Sequence, residues 1–100
     1  FKEHFTGMSH PECAERCDAA LAGFLDGCSR EQTVRLDVRE ATESELGLCH
    51  TQHYIGLVKE DIAEGFSSLR TGDTNISAKS LDAALMAAGG TMSAVDAVIA

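Results

Sequence analysis

Residues 33–40 read TVRLDVRE, and they constrain the fold more than any other stretch. Val34, Leu36 and Val38 fall on one side, with Thr33, Arg35, Asp37 and Arg39 on the other. This is the period-two alternation of a half-buried β-strand. A solitary strand leaves its backbone N–H and C=O groups unpaired, and even an isolated hairpin is marginal in water. No second segment of the chain alternates as clearly. The strand therefore calls for a partner from another copy of the chain or from further polypeptide.

The remaining sequence reads as helices. FKEHFTGM at 1–8 is a loop with a turn at Thr6-Gly7. Ser9 stands as an N-cap, Pro11 falls in a first turn, and Glu12 has the capping-box spacing from Ser9. Cys13, Cys17, Ala20, Leu21, Phe24 and Leu25 form one stripe, which predicts a helix over 10–25 that Gly27 ends. Thr42 and Glu45 repeat the capping-box spacing and open a short helix at 43–49. Thr51 caps a helix over 52–64 with Tyr54, Ile55, Val58 and Ile62 on one face, stopped by Gly65. Residues 66–76 read as a loop. From Ser77 to the end, Leu81, Leu85, Ala88, Met92, Val95 and Ile99 keep one apolar face along a long helix. Gly89-Gly90 interrupts it, and each glycine costs about 1 kcal/mol against alanine. The pair predicts either a very close packing partner or a bend. The expected fold is mostly α with one or two strands, four helices around a short strand, in one unit over 1–100.

Charge excludes some partners. Eight Lys and Arg against sixteen Asp and Glu give a net charge of −8, so no basic face is available for nucleic acid. Anionic membrane surfaces are disfavoured for the same reason. No apolar run of roughly 18 residues stands out, and no leader-like pattern opens the chain. A cytoplasmic location is the expectation. Cys13, Cys17, Cys28 and Cys49 are too sparse for a disulfide scaffold and read as reduced, buried thiols.

Three segments carry a family resemblance. HFTGMSHPECAER resembles the H-x-T-G-x-x-H-P-E-x-P-x-R start of the histone deacetylase superfamily domain, which includes bacterial acetylpolyamine amidohydrolases. His4, Thr6, Gly7, His10, Pro11, Glu12 and Arg16 match, and Ala14 replaces the usual proline. REATESELGLCHTQHYIGLV is similar to the family's R-x-A-x-x-x-E-L-x-x-x-H-x-x-x-Y-I through Arg39, Ala41, Glu45, Leu46, His50, Tyr54 and Ile55. GDTNISAKS followed by an Ala/Gly-rich helix resembles D-T-x-x-S-x-x-S. The resemblance implies a piece of a three-layer α/β arginase/deacetylase-like fold, in which TVRLDVRE belongs to a larger sheet.

It also implies site residues. Asp73 matches the family's substrate-rim aspartate, and Arg16 matches an arginine lining the internal channel. A turn-forming role for Asp73 and a plain ion pair for Arg16 are the simpler alternatives. His4, Gly7, His10, Pro11, Glu12, His50 and Tyr54 are scaffold positions of the motif. The family's zinc ligands and paired histidines lie beyond the matched segments, so no zinc and no other cofactor is expected in this chain. His50-x-x-His53 beside Cys49, and His10 with Cys13 and Cys17, read as structural rather than as metal ligands. The leading expectation is a deacetylase-like piece without catalysis of its own. It would associate with a second copy through the unpaired strand and the long helix. The alternative is one part of a zinc-dependent deacetylase whose metal ligands lie on other sequence. A small metal- or redox-responsive protein is the third possibility.

Overall fold

The structure is a computed structural model describing residues 1–100. It contains four α-helices, which we label α1 (Glu15–Gly27), α2 (Glu43–Leu46), α3 (Gln52–Ala63) and α4 (Ser80–Ile99), with a 3₁₀ turn at Arg30–Gln32. α3 and α4 form the principal helix pair. Against them lie the 66–76 segment and Ala41, so that Ala41, Ile55, Leu69 and Ile76 make the buried apolar core.

The helix starts show what the side chains dictate locally. At α2 the Thr42 hydroxyl accepts from the Glu45 N–H (3.2 Å), and the Glu45 carboxylate accepts from the Thr42 N–H (2.8 Å). At α3 Thr51 accepts from the Tyr54 N–H (3.1 Å). Both caps agree with the sequence reading. α2 is shorter than expected, ending at Leu46 in place of residue 49. Beyond α3, Gly65 takes a φ of 79°, a conformation open to glycine but strained for most residues.

α1 starts later than the expected residue 10, and Ser9 is not its cap. Ser9 is left-handed (φ 57°), and Thr6 Oγ1 donates to the Glu12 carbonyl. A regular helix from residue 10 would bring the Arg16 N–H to that same carbonyl. The Arg16 N–H turns instead to Cys13 O (3.1 Å), and regular helix begins only at Glu15. Pro11 therefore sits in a bend ahead of the helix, not in its first turn. α4 is likewise delayed from Ser77 to Ser80. The Ser80 hydroxyl accepts from the Ser77 N–H (2.7 Å), and Ser80 N–H donates to Ser77 O (3.0 Å), which makes a tight turn before the helix.

The expected strand is absent. Residues 33–40 are extended but pair with no other segment, and the one β-bridge in the chain joins Ser68 to Asn75. Alternation supplies the face of a strand but not the neighbour that a ladder requires. The segment instead lies across α4. Ala41 N–H donates to Leu85 O (2.9 Å), and the Arg39–Ala41 backbone passes over Gly89. A Cβ at Gly89 would fall 2.8 Å from Ala41 N, which explains the glycine by close approach. α4 is by length and composition long and apolar enough to cross a membrane. Its middle is nonetheless a contact to protein backbone.

The molecule is a slab of 45 × 35 × 17 Å with a radius of gyration of 15.6 Å. A closed domain of this length would have about 13 Å. The whole of α1 is exposed, including Leu21, Phe24 and Leu25 on its apolar stripe. The cysteines are not the buried thiols expected: Cys17 and Cys49 are exposed, and Cys13 and Cys28 are half-buried. A stripe is buried only if an element covers it, and none in this chain covers α1.

Arg39 and Glu45 tie the extended segment to α2 through two parallel bonds, Nη1 to Oε2 (2.9 Å) and Nη2 to Oε1 (2.7 Å). The guanidinium, followed by the Thr42 N–H, holds the Glu45 carboxyl down at about 2 from an ordinary 4.5. A depressed acid favours the folded state above its unfolded value. The contribution of Glu45 is therefore full above about pH 4.5 and lost as pH falls towards 2. Urea midpoints measured across that window should fall more steeply for the wild type than for Glu45→Gln. Thr42→Ala at neutral pH should cost about 1 kcal/mol.

Candidate functional site

The N-terminal motif folds back on the start of α4. His4 Nδ1 lies 2.6 Å from Ser80 Oγ, Phe5 N–H donates to Ser77 Oγ (3.0 Å), and Asn75 Nδ2 donates to Thr6 O (2.7 Å). Gly7 follows with a φ of 108°, which only glycine adopts readily and which turns the chain towards His10. His10 Nδ1 accepts from the Glu12 N–H (3.0 Å), so His10 and Glu12 close a local turn around Pro11. Arg16 pairs with Glu12 one helical turn before it, at the surface.

Behind this loop is a mostly apolar cavity of about 270 Å³ between α3, α4 and residues 69–76. His4, His50 and Tyr54 all line it, with Val58, Leu81 and Leu85 among the apolar walls. The His50 and Tyr54 rings lie 5.4 Å apart at 34°. The structure thus brings together three of the scaffold residues expected from sequence. Arg16 stands apart from them on exposed α1.

Asp73 sits at the tip of a tight turn. Gly72 N–H donates to Leu69 O (2.9 Å), Leu69 N–H donates to Thr74 O (2.9 Å), and Ser68 Oγ donates to the same carbonyl (3.1 Å). Gly72 and Asp73 are both left-handed, with φ of 88° and 56°. Asp is one of the few non-glycine residues that tolerates this. Its carboxylate is exposed and takes part in none of the ion pairs.

The turn is held from below by residues that sequence reasoning did not single out. Asp61 on α3 is fully buried. Its carboxylate accepts from the Arg70 backbone N–H (2.9 Å) and from Arg70 Nε (2.6 Å), while Arg70 Nη2 reaches Glu60 (2.6 Å). The guanidinium holds the Asp61 carboxyl below the usual range, and the two acids together raise Arg70. A signal was present in the sequence. Asp61 lies three residues after Val58 and next to Ile62, on the inner side of α3, where a charge needs a partner.

The residues present do not fit the family's zinc. No three His, Cys, Asp or Glu side chains come together in a ligating cluster, and the Cys49, His50 and His53 neighbourhood is no exception.

Comparison with known proteins gives the wider frame. The histone deacetylase domain matches residues 10–100. Human polyamine deacetylase HDAC10 is 35% identical over 98 residues, covering 89% of this chain and 15% of that protein. The rat polyamine deacetylase HDAC10 is 37% identical over 93 residues, covering 88% of this chain and 16% of that protein. The chain thus spans about 15% of the length of the curated relatives it matches. No solved structure matches it.

Proposed function

Because the chain belongs to the histone deacetylase family, we propose that it forms the N-terminal scaffold and substrate rim of a deacetylase, with no amide hydrolysis of its own. The observation that carries this reading is the family match across residues 10–100. In this reading the ligands for the family's zinc come from other sequence, and the chain's own residues bind and orient. The His4–Ser80 and Thr6–Asn75 bonds fix the first loop on α4. Asp73 offers an exposed carboxylate to an amide N–H or ammonium of the substrate. The curated relatives are polyamine deacetylases by name, and a chain of net charge −8 suits a cationic acetylated amine.

The test is complementation. The chain with zinc and an acetylated polyamine should stay at background. Activity should arise when a polypeptide carrying the family's His-His and zinc-ligand segments is added or fused. In that assembly Asp73→Asn should lower kcat/KM about 10- to 100-fold, the range for losing a hydrogen bond to a charged group. Full activity of Asp73→Asn would remove the rim role.

A second reading is association of two copies. It is favoured by the unpaired backbone of residues 34–39 beside Val34, Leu36 and Val38, and by the uncovered Leu21, Phe24 and Leu25. Such a surface seeks cover, and a symmetric dimer is the commonest closed arrangement. Size-exclusion chromatography with light scattering should then give twice the monomer mass at micromolar concentration. A stable monomer would rule this reading out.

A further inference from the structure

We propose that Asp61, acting through Arg70, is a positioning residue for Asp73. This rests on the reading of Asp73 as a rim residue that meets a cationic acylated amine. The geometry forms one short mechanical path. Asp61 is rooted in the third helical turn of α3, with no solvent exposure. Two of its bonds fix both the backbone and the guanidinium of Arg70. Leu69, the residue before, is 5% exposed and anchors the same strand of the turn in the core. The bonds of Gly72 to Leu69, Leu69 to Thr74 and Ile76 to Ser67 then define the turn from both sides. Three residues beyond Arg70, Asp73 is held in a left-handed conformation that a loose loop would populate only in part. A side chain held this way meets a ligand with less entropy to lose than one on a free loop. The same clamp keeps the Arg70 cation on Asp61 and Glu60, away from an approaching ammonium group.

The test uses the 100-residue chain and two variants. Asp61→Asn removes the buried charge. Arg70→Lys keeps the backbone donor and a cation for the buried Asp61 but loses the Nε bond, so it serves if the first variant folds poorly. Amide exchange read by NMR should speed up at Leu69, Gly72 and Ile76 in both variants by about tenfold or more beyond any change at the mid-α4 amides. Titration with a monoacetylated diamine should shift the Asp73 and Thr74 amides in the wild type. It should fail to do so in Asp73→Asn, and should need at least fivefold more ligand in the two clamp variants. Unchanged exchange in the turn overturns the proposal. So does equal acceleration throughout α3 and α4, which would make the pair merely structural, or undiminished ligand response in both clamp variants. A wild type that does not respond to the diamine overturns the rim reading itself, while the exchange rates still decide the clamp.

Discussion

Gly89→Ala should destabilise the chain by about 2 kcal/mol, and Gly90→Ala should leave it within about 1 kcal/mol of wild type, although the residues are neighbours in one helix. The difference lies in what each new methyl would meet. At Gly89 it would run into the Arg39 carbonyl and sit 2.8 Å from Ala41 N, all of it backbone. Backbone cannot rotate aside, so the extended segment must lift and its bond from Ala41 N–H to Leu85 O must stretch. Overpacking of this kind costs about 1–3 kcal/mol, and the lost bond adds about 1 kcal/mol. Alanine's better helix propensity returns about 1 kcal/mol. At Gly90 the methyl would meet only the Val38 side chain, with Cγ1 nearest at 3.0 Å. Val38 is 45% exposed and can turn away, so propensity and crowding nearly cancel. Urea unfolding followed by circular dichroism measures both. A Gly89→Ala protein as stable as wild type would mean that the 38–41 segment does not rest on α4.

Arg70→Ala should do more damage than Asp61→Ala, with a melting temperature lower by roughly 10 °C. The asymmetry follows from burial. Removing Arg70 leaves a fully buried carboxylate without its cation, whereas removing Asp61 leaves a half-exposed guanidinium that still reaches Glu60. The double variant should therefore melt above Arg70→Ala alone. Acid gives a second signature. In the wild type Asp61 titrates below its ordinary value, so its contribution is present at neutral pH and declines as acid protonates it. In Arg70→Ala burial would push that carboxyl up instead. The deficit against wild type should then shrink as pH falls towards 4. Thermal melts at several pH values follow this directly, and a constant deficit would show that Asp61 finds another partner.

Local signals carried the sequence reading furthest. Thr42 with Glu45, Thr51 and Gly65 mark ends that depend on atoms a few residues apart, and the structure places α2 and α3 accordingly. Ser9 and Glu12 have the same spacing as Thr42 and Glu45, yet form no cap. Ser9 is left-handed, not in the β-region an N-cap takes, and Thr6 holds the Glu12 carbonyl from outside the helix; a spacing rule includes neither. TVRLDVRE has the composition of a strand, but pairing is a property of two segments and this chain has only one. At the candidate site, the scaffold positions His4, His50 and Tyr54 were legible as members of a family pattern, and they line one cavity. Asp61 showed only as a charge on the inner side of α3, and its link to Arg70 did not show, because it joins a helix to a loop nine residues away and neither residue belongs to that pattern.

The bond between His4 and Ser80 spans 76 positions of the chain. A ribosome adding about 5–20 residues per second needs roughly 4–15 s to make that stretch. During that time the HFTG loop has no dock, while α2 and α3 can already form from their own neighbours. The HFTG loop, made before α2 and α3, is thus placed after them. An assay of nascent chains should find the HFTG loop open to protease until α4 has left the exit tunnel.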